Sequence, residues 1–155
     1  MQQALQVKIR FYKNSDYDKV KKLYIEGGIY YEGTDSYGNI KRKISRDPKS
    51  IFVAIEGKEI AGTVSITEDG RMTLISRLAV SWKFRDRGIG KALMKKAEEE
   101  LSARGCDKFN ILVREENKNL QKYYEKQSYE KGNIYRWMEK KEKIASRIEI
   151  NEAVR

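Results

Sequence analysis

Histidine is absent from all 155 residues. Imidazole therefore cannot serve this chain as a general base, as a nucleophile's partner or as a metal ligand. Cysteine occurs once, at Cys106, so no internal disulfide can form. A lone thiol suits a reducing compartment. The two shortages together remove zinc sites and Ser-His-Asp triads on ligand count, and no metal is expected. Proline also occurs once, at Pro48. No apolar run approaches the roughly 18 residues that a membrane-crossing helix needs, so no membrane partner is expected. The opening "MQQALQVKIRF" has no apolar h-region followed by a small-residue cleavage site, which makes the cytoplasm the expected location.

Charge is what the chain has in quantity. Lys and Arg number 33 against 23 acidic residues, a formal charge of +10 and a pI near 9.6. Such a balance favours polyanions: nucleic acid, acidic protein or a phosphorylated cofactor. A nucleic-acid role rests on that charge and on "KFRDRGIGK", but the chain carries no zinc-finger, RRM or KH signature. The length suits one domain, and no repeat or linker interrupts it.

Val7–Tyr12 alternates and reads as a strand. "NSDYDKVKKLYIEGG" reads as a helix with Asn14 or Ser15 as N-cap, Gly27 as stop, and Tyr17, Val20, Leu23 and Tyr24 on its apolar face. A short helix is expected over Asn39–Arg46, stopped by Pro48. "SIFVAI", "IAGTVSI" and "RMTLISRLAV" then form a three-strand meander, with Asp69-Gly70 the clearest hairpin signal. "GKALMKKAEEELSARG" is a helix with Leu93, Ala97 and Leu101 at four-residue spacing and Gly105 as C-cap. "KFNILV" reads as a buried strand, "NKNLQKYYEKQ" as a short helix and "NIYRWME" as a last strand. The charged tail from Lys140 to Arg155 is helical, frayed or part of an interface. The resulting class is α/β, a mixed sheet with helices on its faces. Cys106 reads as a buried small residue.

The stretch "RDRGIGKA", Arg85 to Ala92, follows a strand and opens a helix. Free N–H groups at a helix N-terminus favour an anion, glycine allows close backbone approach, and Arg85, Arg87 and Lys91 add cationic charge. It is neither a Walker loop nor a full dinucleotide fingerprint. Taken alone it reads first as an ordinary strand-to-helix loop with solvated charges, with a nucleic-acid patch and a phosphate cradle as the alternatives.

With its context, R-x-x-G-x-G after "LAV" resembles the coenzyme A pyrophosphate loop of the GNAT acetyltransferase superfamily. Downstream, "NKNLQKYYEKQSY" is similar to that family's N-x-x-A-x-x-(L/F)-Y-E-K-x-G-(F/Y) segment, with Asn117, Tyr124, Glu125, Lys126 and Tyr129 in register. "RDP", "FVAIEGKEIAGTV" and "VREEN" look most like the small YpeA-type branch. The resemblance runs over roughly residues 46–135. It implies a single GNAT domain over 1–155, with 140–155 as a tail, and a mostly antiparallel sheet of six to seven strands flanked by about four helices.

It also implies roles. Acetyl-CoA would be the cofactor, its pantetheine arm on the backbone of Leu78, Ala79 and Val80. Arg85, Asp86, Arg87, Gly88, Ile89, Gly90 and Lys91 would wrap the pyrophosphate, with Ala92 in the first helical turn. Asn117 and Lys126 would complete the cofactor contacts, and Tyr124 would protonate the leaving thiolate as general acid. The acceptor would be a primary amine of a small molecule or a protein N-terminus, acetylated directly in a ternary complex. Two departures stand out. Ser128 replaces the usual glycine, and Leu112 stands where ribosomal-protein alanine N-acetyltransferases carry a catalytic glutamate. Glu115 and Glu116 are the nearest candidate carboxylates, although a solvated turn explains both. An α-amino group, with a pKa of about 8, reaches the neutral form far more readily than a lysine at about 10.4.

The family's acceptor groove corresponds to "EGGIYYEGTDSYG", where Glu26, Glu32 and Asp35 sit without a basic residue in a basic chain. Tyr30, Tyr31 and Glu32 are the candidate acceptor contacts, and a flexible surface loop is the alternative. A cofactor-binding sensor without catalysis is the rival function. Self-association as a homodimer is left open.

Overall fold

The structure is a computed structural model that describes residues 7–142. The chain divides after Leu112 into two compact units. The first holds β1 (Lys8–Phe11), α1 (Tyr17–Glu26), α2 (Glu32–Asp35), α3 (Tyr37–Arg46), β2 (Ile51–Glu56), β3 (Glu59–Glu68), β4 (Thr73–Val80) and α4 (Ile89–Ala103). Single 3-10 turns lie at Asn14–Asp16 and Trp82–Phe84. The second unit contributes α5 (Lys118–Glu125).

The sheet runs β1-β2-β3-β4, every neighbour antiparallel. β2 buries four residues in succession, Ile51 to Ala54, because both of its faces are covered. Ile51 and Val53 pack with Val20, Leu23 and Tyr24 of α1. The two-residue period turns Phe52 and Ala54 to the opposite face. On α4, Ile89, Leu93, Met94, Ala97 and Leu101 are all 0–1% exposed. Each of the larger ones contributes about 1.5–3 kcal/mol by leaving water. α4 packs closely over Gly62 of β3: a Cβ there would stand 2.9 Å from Leu93 Cδ1 and 3.0 Å from the Ala79 carbonyl. The bare backbone at Gly62 lets the start of α4 sit directly on β3 and β4.

The expected turns form as their residues dictate. Asp69 Oδ1 accepts from the Arg71 and Met72 N–H groups at 2.9 and 2.8 Å, and Gly70 takes φ of 85°. The N-cap position of α1 is Asp16 rather than Asn14 or Ser15, after the intervening 3-10 turn, and the Asp16 side chain makes no bond to the helix. The Asp16 carboxylate accepts from Lys13 N–H at 2.8 Å and from both outer nitrogens of Arg10, which hold it below its ordinary pKa against the opposing effect of burial. The helix expected from Asn39 starts earlier, at Tyr37, with the Ser36 hydroxyl accepting from Asn39 N–H.

The sheet departs from expectation in size. Among the described residues it has four strands, not six to seven. "KFNILV" is not a ladder strand. It runs beside β4 in the same direction, with one main-chain bond, Ile75 N–H to the Asn110 carbonyl at 2.8 Å. The Thr73 hydroxyl takes the neighbouring position, donating to the Lys108 carbonyl at 2.7 Å and accepting from Asn110 N–H at 3.3 Å. A side chain has replaced the next rung, so pairing does not propagate. Nor is the segment buried: Leu112 is 70% exposed. "NIYRWME" is likewise not a strand, and Ile134, Tyr135, Trp137 and Met138 are all exposed. Cys106 is half-buried rather than buried. Lys140 to Glu142 are exposed and not helical, and the rest of the expected tail lies outside the described residues.

Candidate functional site

The end of β4 is irregular. Gly62 pairs with Val80 and Thr63 with Ala79, yet Ser65 pairs with Ser76, so β4 carries one residue more than β3 across this interval. The extra residue makes a bulge at Arg77-Leu78, and Arg77 takes a left-handed φ of 56°. Beyond the bulge, Ser81 N–H donates to the Ala61 carbonyl at 2.8 Å. Antiparallel alternation then gives Thr63 and Ala79 mutual hydrogen bonds and turns the main-chain groups of Val80 away from β3. Of the three residues expected to bind through their backbone, Ala79 spends its groups on the sheet. Val80 has them on the outer edge, where its carbonyl accepts from Arg85 Nε at 3.3 Å.

Residues 85–88 are all exposed and lead into α4. Asp86 and Gly88 take left-handed φ values of 60° and 78°, and Gly88 is the N-cap residue. No side chain caps this helix, and its first turn contains no acid. The first intrahelical bond runs from Ala92 N–H to the Gly88 carbonyl at 3.0 Å. The N–H groups before it form the positive end of a 15-residue helix. Ile89, 1% exposed, pins that end to the core, so the cradle is rigidly mounted although its loop is solvent-facing. The cations around it rest on surface partners. Arg87 Nη1 meets Glu56 Oε1 at 2.7 Å with its guanidinium over Phe84, Lys83 meets Glu59 at 2.8 Å, and Arg85 lies over Trp82. Glu56 Oε2 is buried with no hydrogen-bond partner. Gly90 is half-buried and Lys91 exposed in the first turn.

The loop after α1 begins beside this strand. Gly27 lies against the Ala79 side chain, and the Glu26 carboxylate accepts from Trp82 N–H. Tyr30, Tyr31 and Glu32 are only partly a loop, since Glu32 opens α2. The expected acidic groove is thinner than the composition suggests. Glu26 is bonded to Trp82, and Asp35 is 1% exposed and bonded to Arg77. Glu32 is the acid left at the surface. It accepts a hydrogen bond from the Tyr30 hydroxyl, which raises the Tyr30 pKa well above its ordinary value. Tyr31 is 48% exposed.

In the second unit, Asn117 is the N-cap of α5, its Oδ1 accepting from Leu120 N–H at 3.1 Å. One of the amide's two ends is therefore committed to the helix, and Nδ2 is the end left for a ligand. Tyr124 is buried, with the rings of Tyr123 and Tyr129 edge-on at 5.1 and 5.7 Å. Burial, with Tyr123 beside it, pushes its pKa up to about 12. Tyr123 itself is exposed. Lys126 is the exposed C-cap residue of α5. Glu115 and Glu116 are exposed and paired with Lys118 and Arg114. The Lys118 hydrogen bond lowers the Glu115 pKa, which makes it a poorer base.

The sequence reading missed Arg77 and Gly62. An arginine inside "LISRLAV" was a visible signal, a charge breaking an otherwise apolar strand. Gly62 in mid-strand was another.

The family described as acetyltransferase (GNAT) matches residues 17–129. Acetyltransferase YE1169 of Yersinia enterocolitica is 36% identical over 124 residues, covering 80% of this chain and 88% of that protein. Acetyltransferase ECA0875 of Pectobacterium atrosepticum matches equally, 36% over the same length and the same shares. Among solved structures, Ard1 of Thermoplasma volcanium superposes with a TM-score of 0.71 at 20% identity, over 79% of this chain and 82% of that one. The PaiA N-acetyltransferase of Thermoplasma acidophilum in complex with coenzyme A gives 0.69 at 18% identity, over 79% and 89%.

Proposed function

We propose, for a chain that belongs to the GNAT acetyltransferase family and is an N-acetyltransferase, that it moves an acetyl group from acetyl-CoA directly to a primary amine. The observation that carries this reading is the start of α4: uncapped, free of acid, opened by left-handed Asp86 and Gly88 and ringed by arginines. Such an end has spare N–H donors and positive charge but no protein group to receive them, which fits a pyrophosphate. Acetyl-CoA supplies an acetyl thioester, activated for attack by nitrogen. Residues 85–91 would hold its phosphates, the outward main-chain groups of Val80 its arm, and Asn117 Nδ2 a further polar group. The chain would act as a single GNAT domain, in the cytoplasm.

Tyr124 holds a proton that a departing thiolate needs. With a pKa near 12 it stays protonated through the physiological range, as a general acid must. The chain has no histidine, and among the described residues no carboxylate is placed as a strong base, so the acceptor must reach its neutral amine form largely by itself. That favours an α-amino group or another amine of modest pKa over lysine.

The test is mass spectrometry of amines and peptides incubated with acetyl-CoA, using wild type and Tyr124→Phe. We expect acetylation by the wild type and a kcat loss of about 10²–10⁴-fold in the variant, with acetyl-CoA affinity kept. Raising the pH should increase the rate as the amine deprotonates, with no fall from loss of the tyrosine proton until the pH nears 12. Undiminished kcat in Tyr124→Phe removes the acid role. Cofactor binding with no acetylated product would leave a sensor.

A further inference from the structure

Asp35 is the most completely enclosed acid among the described residues, at 1% exposure. Each of its oxygens has a different client. Oδ1 accepts from Arg77 Nε at 2.9 Å, Oδ2 from Tyr31 N–H at 2.9 Å, and the main-chain oxygen from the Tyr17 hydroxyl at 2.9 Å. Arg77, 42 residues away, is the bulge residue of β4, held at φ of 56°. An L-residue with a long side chain tolerates that conformation only where the surroundings impose it, and glycine would adopt it without strain. The chain nevertheless puts an arginine there, and the side chain turns to Asp35.

We propose that Asp35 is a positioning residue that ties the acceptor loop to the cofactor strand. The idea rests on the proposed function only in naming what the two segments hold; the tie itself is a property of the free protein. One carboxylate fixes Tyr31 and hence the start of α2, and through Arg77 it fixes the bulge from which Leu78, Ala79 and Val80 continue. A shift in either segment strains the same pair of bonds. Stability alone gives little reason for the pair: Asp35 is enclosed while the Arg77 side chain is 31% exposed, and enclosing a charge is seldom better for stability than apolar packing.

The experiment is hydrogen–deuterium exchange on the free protein for wild type, Asp35→Asn and Arg77→Gly, read over residues 29–36, 76–81 and 51–56. With Asp35→Asn, both 29–36 and 76–81 should exchange about tenfold faster while 51–56 is unchanged. Arg77→Gly keeps the left-handed backbone comfortable but cuts the tie. It should loosen both 29–36 and 76–81 by a similar factor. With any amine the wild type acetylates, either variant should raise KM about tenfold and change kcat less than threefold. Faster exchange confined to 29–36 in Asp35→Asn makes Asp35 a local cap and overturns the proposal. So does faster exchange everywhere, or an Arg77→Gly protein that leaves 29–36 protected. Because exchange needs no substrate, these outcomes stand whether or not an amine is ever acetylated.

Discussion

Two loops flank β4, and they are secured in opposite ways. Residues 27–36 are held from within, by a buried carboxylate with a hydrogen bond at every oxygen. Residues 81–88 bury Phe84, but their charged side chains are held at the surface, by pairs of Lys83 with Glu59 and Arg87 with Glu56, and by arginines lying on the rings of Trp82 and Phe84. The difference follows from what each must do. A segment that receives a polyanion cannot have its donors already satisfied in the interior, or binding would have to break buried bonds. It can have its mount buried instead, and Ile89 and Gly62 supply that mount. A segment that shapes an acceptor site can be fastened first and present only its outer side chains.

The largest effect should come from attacking the mount. Gly62→Ala places a methyl 2.9 Å from Leu93 Cδ1 and 3.0 Å from the Ala79 carbonyl, and the second of these is backbone that cannot swing away. β4 must shift at Ala79 while Leu93 and Ile89 of α4 draw back, with a loss of about 1–3 kcal/mol in chemical denaturation, the usual cost of overpacking. Acetyl-CoA binding should weaken together with stability, while the exchange protection of residues 29–36 stays as in wild type. Equal loosening of both loops would mean that they are not separately mounted.

How much of this was legible in the sequence differs between the loops for the same reason. "RDRGIGKA" is a local pattern, a strand end, glycines and a helix start, so its architecture could be read along the chain. Asp35–Arg77 joins residues 42 apart, and no local period reports such a pair. The four strands β1–β4 and α4 were legible because each buries a regular face. "KFNILV" looked like a strand for its apolar content, but that content does not reveal that the Thr73 side chain would interrupt the ladder. Acid count also misled. Three acids suggested an open acidic groove, and burial removes Asp35 from it while Trp82 N–H occupies Glu26.

A smaller effect, with a sign that discriminates, lies at the rim of the phosphate loop. Arg87→Ala should weaken acetyl-CoA binding about five- to tenfold and flatten its salt dependence, since one cation is lost beside a polyanion. Glu56→Gln should do the reverse and tighten binding about two- to fourfold, because the exposed pair is weak and its loss releases Arg87 toward the ligand. Both follow from titration calorimetry at two salt concentrations. Weaker binding in Glu56→Gln would show that the acid positions Arg87 rather than competing for it, and the contrast between the loops would narrow.

The smallest effect tests the outer surface of the acceptor loop. Glu32 accepts from the Tyr30 hydroxyl and holds the last exposed negative charge of "EGGIYYEGTDSYG". With Glu32→Gln the fold should be indifferent, since the Glu32 side chain stands at the surface and such a bond contributes little. The KM of a cationic amine should rise about two- to fivefold, and that of a neutral-charge acceptor should not, because only the former gains from a nearby carboxylate. Measuring KM for both kinds across a panel decides it. If every KM is unchanged, the acceptor does not touch Tyr30 and Glu32, and the loop's contribution passes entirely through the buried side, by way of Asp35 and Arg77.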